Sequence, residues 1–345
     1  MNNFIVSVMK DLFERLLILR SPGVGPATYN DLMRRFGCAG AAAACVNASQ
    51  ELRDAVMREM DAAHKLGIVF ISDEDDAYPM ALKQVKNHPP ILSVRGNVDV
   101  LRRESVAIVG TRHATGAAMG LVSDIATAFA QHNIAVVSGM AMGTDAAAHR
   151  GALRAAGDTN TIAVLAGGAD YIWPIENESL YYEIISRGAV VSEMPVGFIP
   201  KGTNFVQRNR IIAGIGAKLI LSEADMASGS MKTAEFAMQY GRTLYAIPSH
   251  PADSRATGPN SLIRSGAAIL CQGAQDFFGG LDKTQKSEKK SESENIIFDK
   301  IGTVPVSESV LAEIVGKNIS EIKRELVVLE LQGLVRKTDL GYTRV

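Results

Sequence analysis

SVAIVG, residues 105–110, decides how this chain is read. Its apolar residues run on without alternation, and a strand of that kind is covered on both faces. The same texture returns in IAVVSG (134–139), TIAVLAGG (161–168), AVVSEM (189–194), AKLILSEA (217–224), TLYAIP (243–248) and AAILC (267–271), with helical patterns filling most of the gaps. Strands alternating with helices predict an α/β fold, a doubly wound and mostly parallel sheet with helices on both sides.

Outward from that block the texture changes twice. Residues 1–68 are alanine-rich and helical in pattern, and LRSPGVGPATYNDLMRRFG (19–37) places Gly23 and Gly25 in a tight turn before helix formers. That is the shape of a SAM-like or helix-hairpin-helix module, whose turn either offers N–H groups to a phosphate or simply packs. Residues 69–104 lead into the sheet domain, taken as 69–280. LDKTQKSEKKSESEN (281–295) is too polar to bury a core and predicts a flexible linker. Residues 296–345 show three short helical patterns and a two-stranded ribbon turning at DLGY, a winged helix, with Asn318 or Ser320 capping its third helix.

Composition narrows the possibilities. The chain has 345 residues, 47% hydrophobic and 21% charged, which suits a protein with a sizeable core. The first twenty residues interrupt their apolar pattern with Asp11, Glu14 and Arg15, reading as an amphipathic helix rather than a signal peptide. No membrane span is expected, and the cytoplasm is the expected compartment. Cys38, Cys45 and Cys271 are too few and too scattered for a disulfide framework or zinc site, and read as small buried hydrophobes. No cofactor or metal is expected. Net charge is −1, and residues 105–280 carry 12 Lys and Arg against 13 Asp and Glu, so any polyanion site must be a local patch.

Ligands of open α/β sheets bind beyond the carboxyl ends of the strands, which makes those loops the candidates. VGTRHATG lacks the dinucleotide GxGxxG pattern but brings Arg112, a bidentate phosphate donor. SGMAMGTDAAAHRGAL brings Gly139 and Gly143 for close backbone approach, and Asp145 and His149 four apart on one helix face. That pair reads as a structural brace, with an acid–base or metal couple as the alternative. AGGADYIWP brings Gly167 and Gly168. NFVQRNRIIAG (204–214) follows Lys201, with Asn204 as the expected cap and Phe205, Arg208 and Asn209 on one face. A base stacked on Phe205 with its phosphate on Arg208 is one reading; a core Phe205 beside surface arginines is the other. ASGSMKTAEFA sets Ser228, Gly229 and Ser230 at a helix start, an anion-friendly cradle without the GK[ST] order.

Taken together, VAIVGTRHAT, SGMAMGTDAAAHRGAL, AVLAGGADYIWPIENESLY, SEMPVG, NFVQRNRIIAG, GSMKTAEFAMQYGR and GPNSLIRSGA, after the lead-in DAYPMALKQVKNHPPILSVRGN, resemble the DNA-processing protein A (DprA/Smf) family over nearly the whole chain. The resemblance implies a Rossmann-like, dimeric, non-enzymatic binder of single-stranded DNA that helps load the RecA recombinase during transformation. It implies DNA contacts by Arg112, Phe205, Arg208, Asn209 and Arg210, with Lys201 near a position where the family often has a basic residue. The rival is a nucleoside-5′-monophosphate phosphoribohydrolase on a related fold, with Glu235 as its carboxylate. A duplex-binding regulator acting through residues 296–345 is a third reading. There the third helix mixes Glu321, Glu325 and Glu330 with Lys323 and Arg324, a pattern that favours a protein partner over duplex DNA.

Overall fold

The computed structural model describes residues 2–157, 160–278, 296–302, 305–338 and 341–344; the expected linker and the Asp339–Leu340 part of the predicted turn lie outside these residues. The chain divides into two compact units, Met1–Phe278 and Gly279–Val345, so the N-terminal helices pack with the sheet in one unit.

Nine strands form the main sheet: β1 (Ile68–Ser72), β2 (Ile91–Gly96), β3 (Ser105–Val109), β4 (Ala135–Ser138), β5 (Thr161–Val164), β6 (Ala189–Ser192), β7 (Lys218–Leu221), β8 (Thr243–Ala246) and β9 (Ile269–Leu270). Their order is β1-β2-β6-β5-β4-β3-β7-β8-β9. From β6 to β9 every pairing is parallel, whereas β1 with β2 and β2 with β6 are antiparallel. The lead-in therefore extends the sheet by two strands that its mixed pattern did not disclose.

Continuous apolar strands serve two cores at once. Ala107, Val109, Val137, Leu219 and Leu221 face one layer, which includes Ile211, Ile212 and Ala234. Val106, Ile108, Val136 and Ile220 face the other, which includes Val122, Ile125 and Phe129. Period-two alternation thus survives inside the strands, with both phases apolar. The rule fails at β9, where Ile269 and Leu270 are 53% and 42% exposed because the sheet ends there.

In the N-terminal module, Pro26 opens helix Pro26–Phe36 and Gly37 closes it in the left-handed region. Cys38 and Cys45 border the short helix Ala39–Cys45 and are exposed, which corrects their reading as buried; Cys271 is buried. Among the described residues no helix is long and apolar enough to cross a membrane.

The second unit holds helices Ile296–Lys300, Glu308–Val315 and Ile319–Leu331, then the antiparallel pair β10 (Val335–Thr338) and β11 (Gly341–Arg344). Ile297, Leu311, Ile322, Leu326, Val335 and Tyr342 form its core. Asn318 is the cap, its side chain accepting from Glu321 N at 2.9 Å. Lys323 pairs with Glu308 and Lys317 with Glu325, while Val327, Val328 and Leu331 stand exposed on the third helix.

Candidate functional site

Strand order places the site. From β3 the chain works outward to β6, then crosses back to add β7 on the other side of β3, so the β3–β7 boundary is the topological switch point. A cleft of about 460 Å³ opens there, lined by Gly110–His113 beyond β3, Ser228–Ser230 beyond β7, and the rings of Trp173 and Phe205.

The loop after β3 is held at both ends. Thr111 N donates to Glu223 O at 2.6 Å, and Thr115 donates to the Glu223 carboxylate through N (2.7 Å) and Oγ1 (2.8 Å). Gly143, at φ 73°, lies beneath the loop: a Cβ there would sit 2.5 Å from Arg112 O and 2.6 Å from Thr111 O. Only glycine meets both demands, the left-handed backbone and the close approach.

Arg112 is exposed, and its guanidinium lies over Trp173 at 4.8 Å and near Phe205 at 5.9 Å from the ring centroids. The rings meet each other at 4.5 Å with a 58° tilt. Among the described residues no carboxylate pairs with Arg112, and the face of its guanidinium is held by the rings. The third wall is the start of helix Gly229–Gln239, whose first N–H groups have no intrahelical partner and whose Ser228 makes no side-chain cap. Ser228 Oγ is buried without a partner among the described residues, and Ser230 Oγ donates to Gly110 O at 2.6 Å, tying this wall to the first. A helix start of this kind favours an anion.

The helix Gly202–Ile215 has Lys201 as its N-cap, whose N–H donates to Asn204 Oδ1 at 2.8 Å; Asn204 is therefore a third-position residue and not the cap expected. Phe205 is half-buried on the cleft wall, not core. Arg208 does share that face, but its guanidinium is buried and committed: it donates to Gly139 O at 2.9 Å, to Val164 O and to Asn209 Oδ1 at 3.3 Å. Burial pushes it down to about 10, with Asp145 opposing. It braces the ends of β4 and β5 while still lining the cleft. Asn209 Nδ2 donates to Gly229 O at 3.1 Å and fixes the neighbouring helix start. Arg210 leaves the cleft and pairs with Glu193, whose carboxyl burial raises and Arg210 lowers.

The glycines are also reassigned. Gly139 N–H donates to Asp145 Oδ2 at 3.2 Å, and a Cβ would meet Arg208 Nη2 at 2.6 Å and Asp145 Oδ2 at 2.8 Å. Gly168 N–H donates to Phe198 O at 3.0 Å. Neither offers an N–H to a ligand; both are small because neighbours crowd them. Lys201 is exposed and outside the cleft lining. Asp145 and His149 do not touch as a couple: Asp145 holds Gly139 and Ala141 N–H groups, and His149 Nδ1 meets Thr161 Oγ1 at 2.7 Å. Burial pushes His149 down to about 3 and raises Asp145. Among the described residues no group of three His, Cys, Asp or Glu side chains could hold a metal.

Trp173 is the residue the motifs did not single out. It is the chain's one tryptophan and stands before Pro174 in the loop beyond β5, the signal that was available. Its ring arrives from a different strand end than Phe205, and no spacing within one element reveals that meeting.

These features define a Rossmann-like protein whose switch-point cleft joins aromatic faces to anion-accepting groups. A family profile described as DNA recombination-mediator protein A matches residues 69–282, with a DprA-like N-terminal HHH domain at 9–62 and a DprA winged helix domain at 282–339. The chain belongs to the DNA recombination-mediator protein A family. The DNA processing protein DprA of Mycobacterium tuberculosis is 29% identical over 342 residues, covering 92% of this chain and 87% of that one. Protein Smf of Synechocystis is 38% identical over 207 residues, 58% of this chain and 51% of its own length. The solved DNA processing protein A of Streptococcus pneumoniae superposes with TM-score 0.66 at 30% identity, covering 78% of this chain and 97% of that one. That of Helicobacter pylori, described by its single-stranded DNA binding mode, gives 0.57 at 29% identity, covering 63% and 96%.

Proposed function

We propose that the switch-point cleft binds single-stranded DNA, with a base against Trp173 and Phe205 and phosphates on Arg112 and the Ser228–Ser230 helix start. The observation that carries this reading is Arg112 itself, stacked over two rings with no carboxylate partner among the described residues. Stacking and a guanidinium edge suit a sequence-tolerant single strand, at about 1–3 kcal/mol per stacked base. Arg208, Asn209, Gly139 and Gly168 act from behind by holding the walls, and Lys201 is an outer phosphate contact where the strand leaves. Family membership and the H. pylori relative support the ligand class.

The role is that of a dimeric, non-enzymatic mediator that loads RecA; the family's designation as a recombination mediator supports it. Two features oppose the hydrolase reading. Glu235 pairs with Lys232 at 2.8 Å away from the cleft lining, and Asp145, the carboxylate that lines the cleft among the described residues, is spent on backbone N–H groups. Anisotropy titration of oligo-dT against Arg112→Ala, Trp173→Ala and Phe205→Ala tests the site. Affinity equal to wild type in all three folded variants would refute it, and release of free base from AMP that is lost in Glu235→Gln would establish the enzyme instead. Accelerated RecA filament growth on coated single strands tests the loading role.

A further inference from the structure

A second cavity, of about 750 Å³, lies where the N-terminal hairpin meets the sheet domain, lined by Pro26, the segment Gln84–Asn87, Gln239, Tyr240, Arg210 and Arg242. Pro26 and Arg210 also line a neighbouring cavity of about 570 Å³ that includes Val24 and Gly25, so the two share a wall at the hairpin tip. Among the described residues no carboxylate lines the larger one.

Its charges are unbalanced. Arg210 is neutralised by Glu193, but among the described residues Arg242 meets carbonyls alone, Ala81 O at 2.6 Å and Gly214 O at 3.1 Å. Its Nε is buried with no hydrogen-bond partner among the described residues, and burial lowers its pKa. Lys86, exposed on the same wall, has no ion-pair partner among the described residues. A cation drawn partly out of water without a countercharge is costly, and a bound anion removes that cost. Around the two cations stand the amides of Gln84, Asn87 and Gln239 and the ring of Tyr240. Amides and cations beside a ring are the groups that contact a sugar–phosphate backbone.

The wall is also preformed. Asn87 holds φ 60°, and His88 fastens the segment by contacts of its ring to Val85 O and Asp73 Oδ2, both at 2.9 Å. The helix Gly202–Ile215 connects this cavity to the cleft, presenting Phe205 to one and Arg210 to the other. They lie five positions apart, a rise of about 7.5 Å.

We infer that this cavity is a second nucleic-acid site, holding the backbone of the single strand after it leaves the switch-point cleft and rounds the helix. This rests on the proposed function for its ligand class, and the test separates the two. Titrate the full chain with fluorescent oligo-dT of about 6 and about 25 nucleotides, lengths bracketing one short binding site, across a salt series, using wild type, Lys86→Glu and Trp173→Ala. Lys86→Glu should weaken the long oligonucleotide about tenfold and lower its salt slope by about 0.7 for each phosphate set free, while the short one changes less than about twofold. Trp173→Ala should weaken both. If Lys86→Glu binds the long strand as wild type does, with an unchanged slope, the second site is overturned and the cleft stands. If Trp173→Ala changes neither, the cleft reading fails independently. Should Lys86→Glu weaken both lengths equally, Lys86 belongs to the first site and a separate second site is overturned.

Discussion

Arg208→Met distinguishes a brace from a grip. In the wild type one guanidinium serves Gly139 O, Val164 O and Asn209 Oδ1, and faces a buried Asp145. Methionine keeps much of the volume and removes every donor, leaving two strand-end carbonyls unmet at about 1–3 kcal/mol each. It also strands the carboxylate of Asp145, whose remaining partners are the N–H groups of Gly139 and Ala141 and the Ser138 side chain. Breaking a buried charge network by removing one member costs about 3–5 kcal/mol, and we take that range for the whole change because the separate costs overlap. For a unit of this size the melting temperature should fall on the order of 10 °C. Differential scanning fluorimetry measures the fall. Anisotropy at low temperature, where the variant remains folded, measures the salt slope of oligo-dT binding, which should stay at the wild-type value because every phosphate keeps its partner. A variant that melts with wild type but shows a slope reduced by about 0.7, the value for one phosphate, would refute the reasoning and return Arg208 to the phosphate.

Three further outcomes are expected. Trp173→Ala should weaken oligo-dT by about 1–3 kcal/mol, as for one stacked base, and Trp173→Phe should recover most of that; affinity unchanged in both removes Trp173 from the interface. Gly143→Ala should destabilise by about 1–3 kcal/mol through its left-handed backbone alone, and more through the clash with Arg112 O, so a denaturant midpoint equal to wild type would contradict the geometry. His88 is bound to Asp73, which raises its pKa first, with the Val85 carbonyl adding and burial opposing. The stability it contributes is complete below the unfolded value of about 6.5 and fades as pH rises through the folded one. The difference in urea midpoint between wild type and His88→Gln should therefore shrink with rising pH, and a constant difference would contradict the charged pair.

What was legible in the sequence divides by the range of the interaction. Runs such as SVAIVG and IAVVSG announce strands covered on two faces because burial acts on each residue separately, and the loops after them are candidates once the sheet is parallel. β1 stayed hidden because an edge position leaves Val69 exposed and breaks the continuous pattern, and β2, an interior strand, because the buried Ser93 interrupts its apolar run. Helix periodicity placed Phe205 and Arg208 on one face, correctly, yet said nothing of what waits opposite. Two carbonyls at the ends of β4 and β5 claim the longer side chain, while the shorter ring stops at the wall. Arg210 is decided in the same way by Glu193, at the end of β6. Three arginines, one in the loop after β3 and two on the helix Gly202–Ile215, thus end in three conditions: Arg112 open on its rings, Arg208 spent on carbonyls, Arg210 spent on a carboxylate. An arginine's role here is set by which acceptors the strand order brings within its reach, and strand order is the one level of this fold that local pattern does not encode.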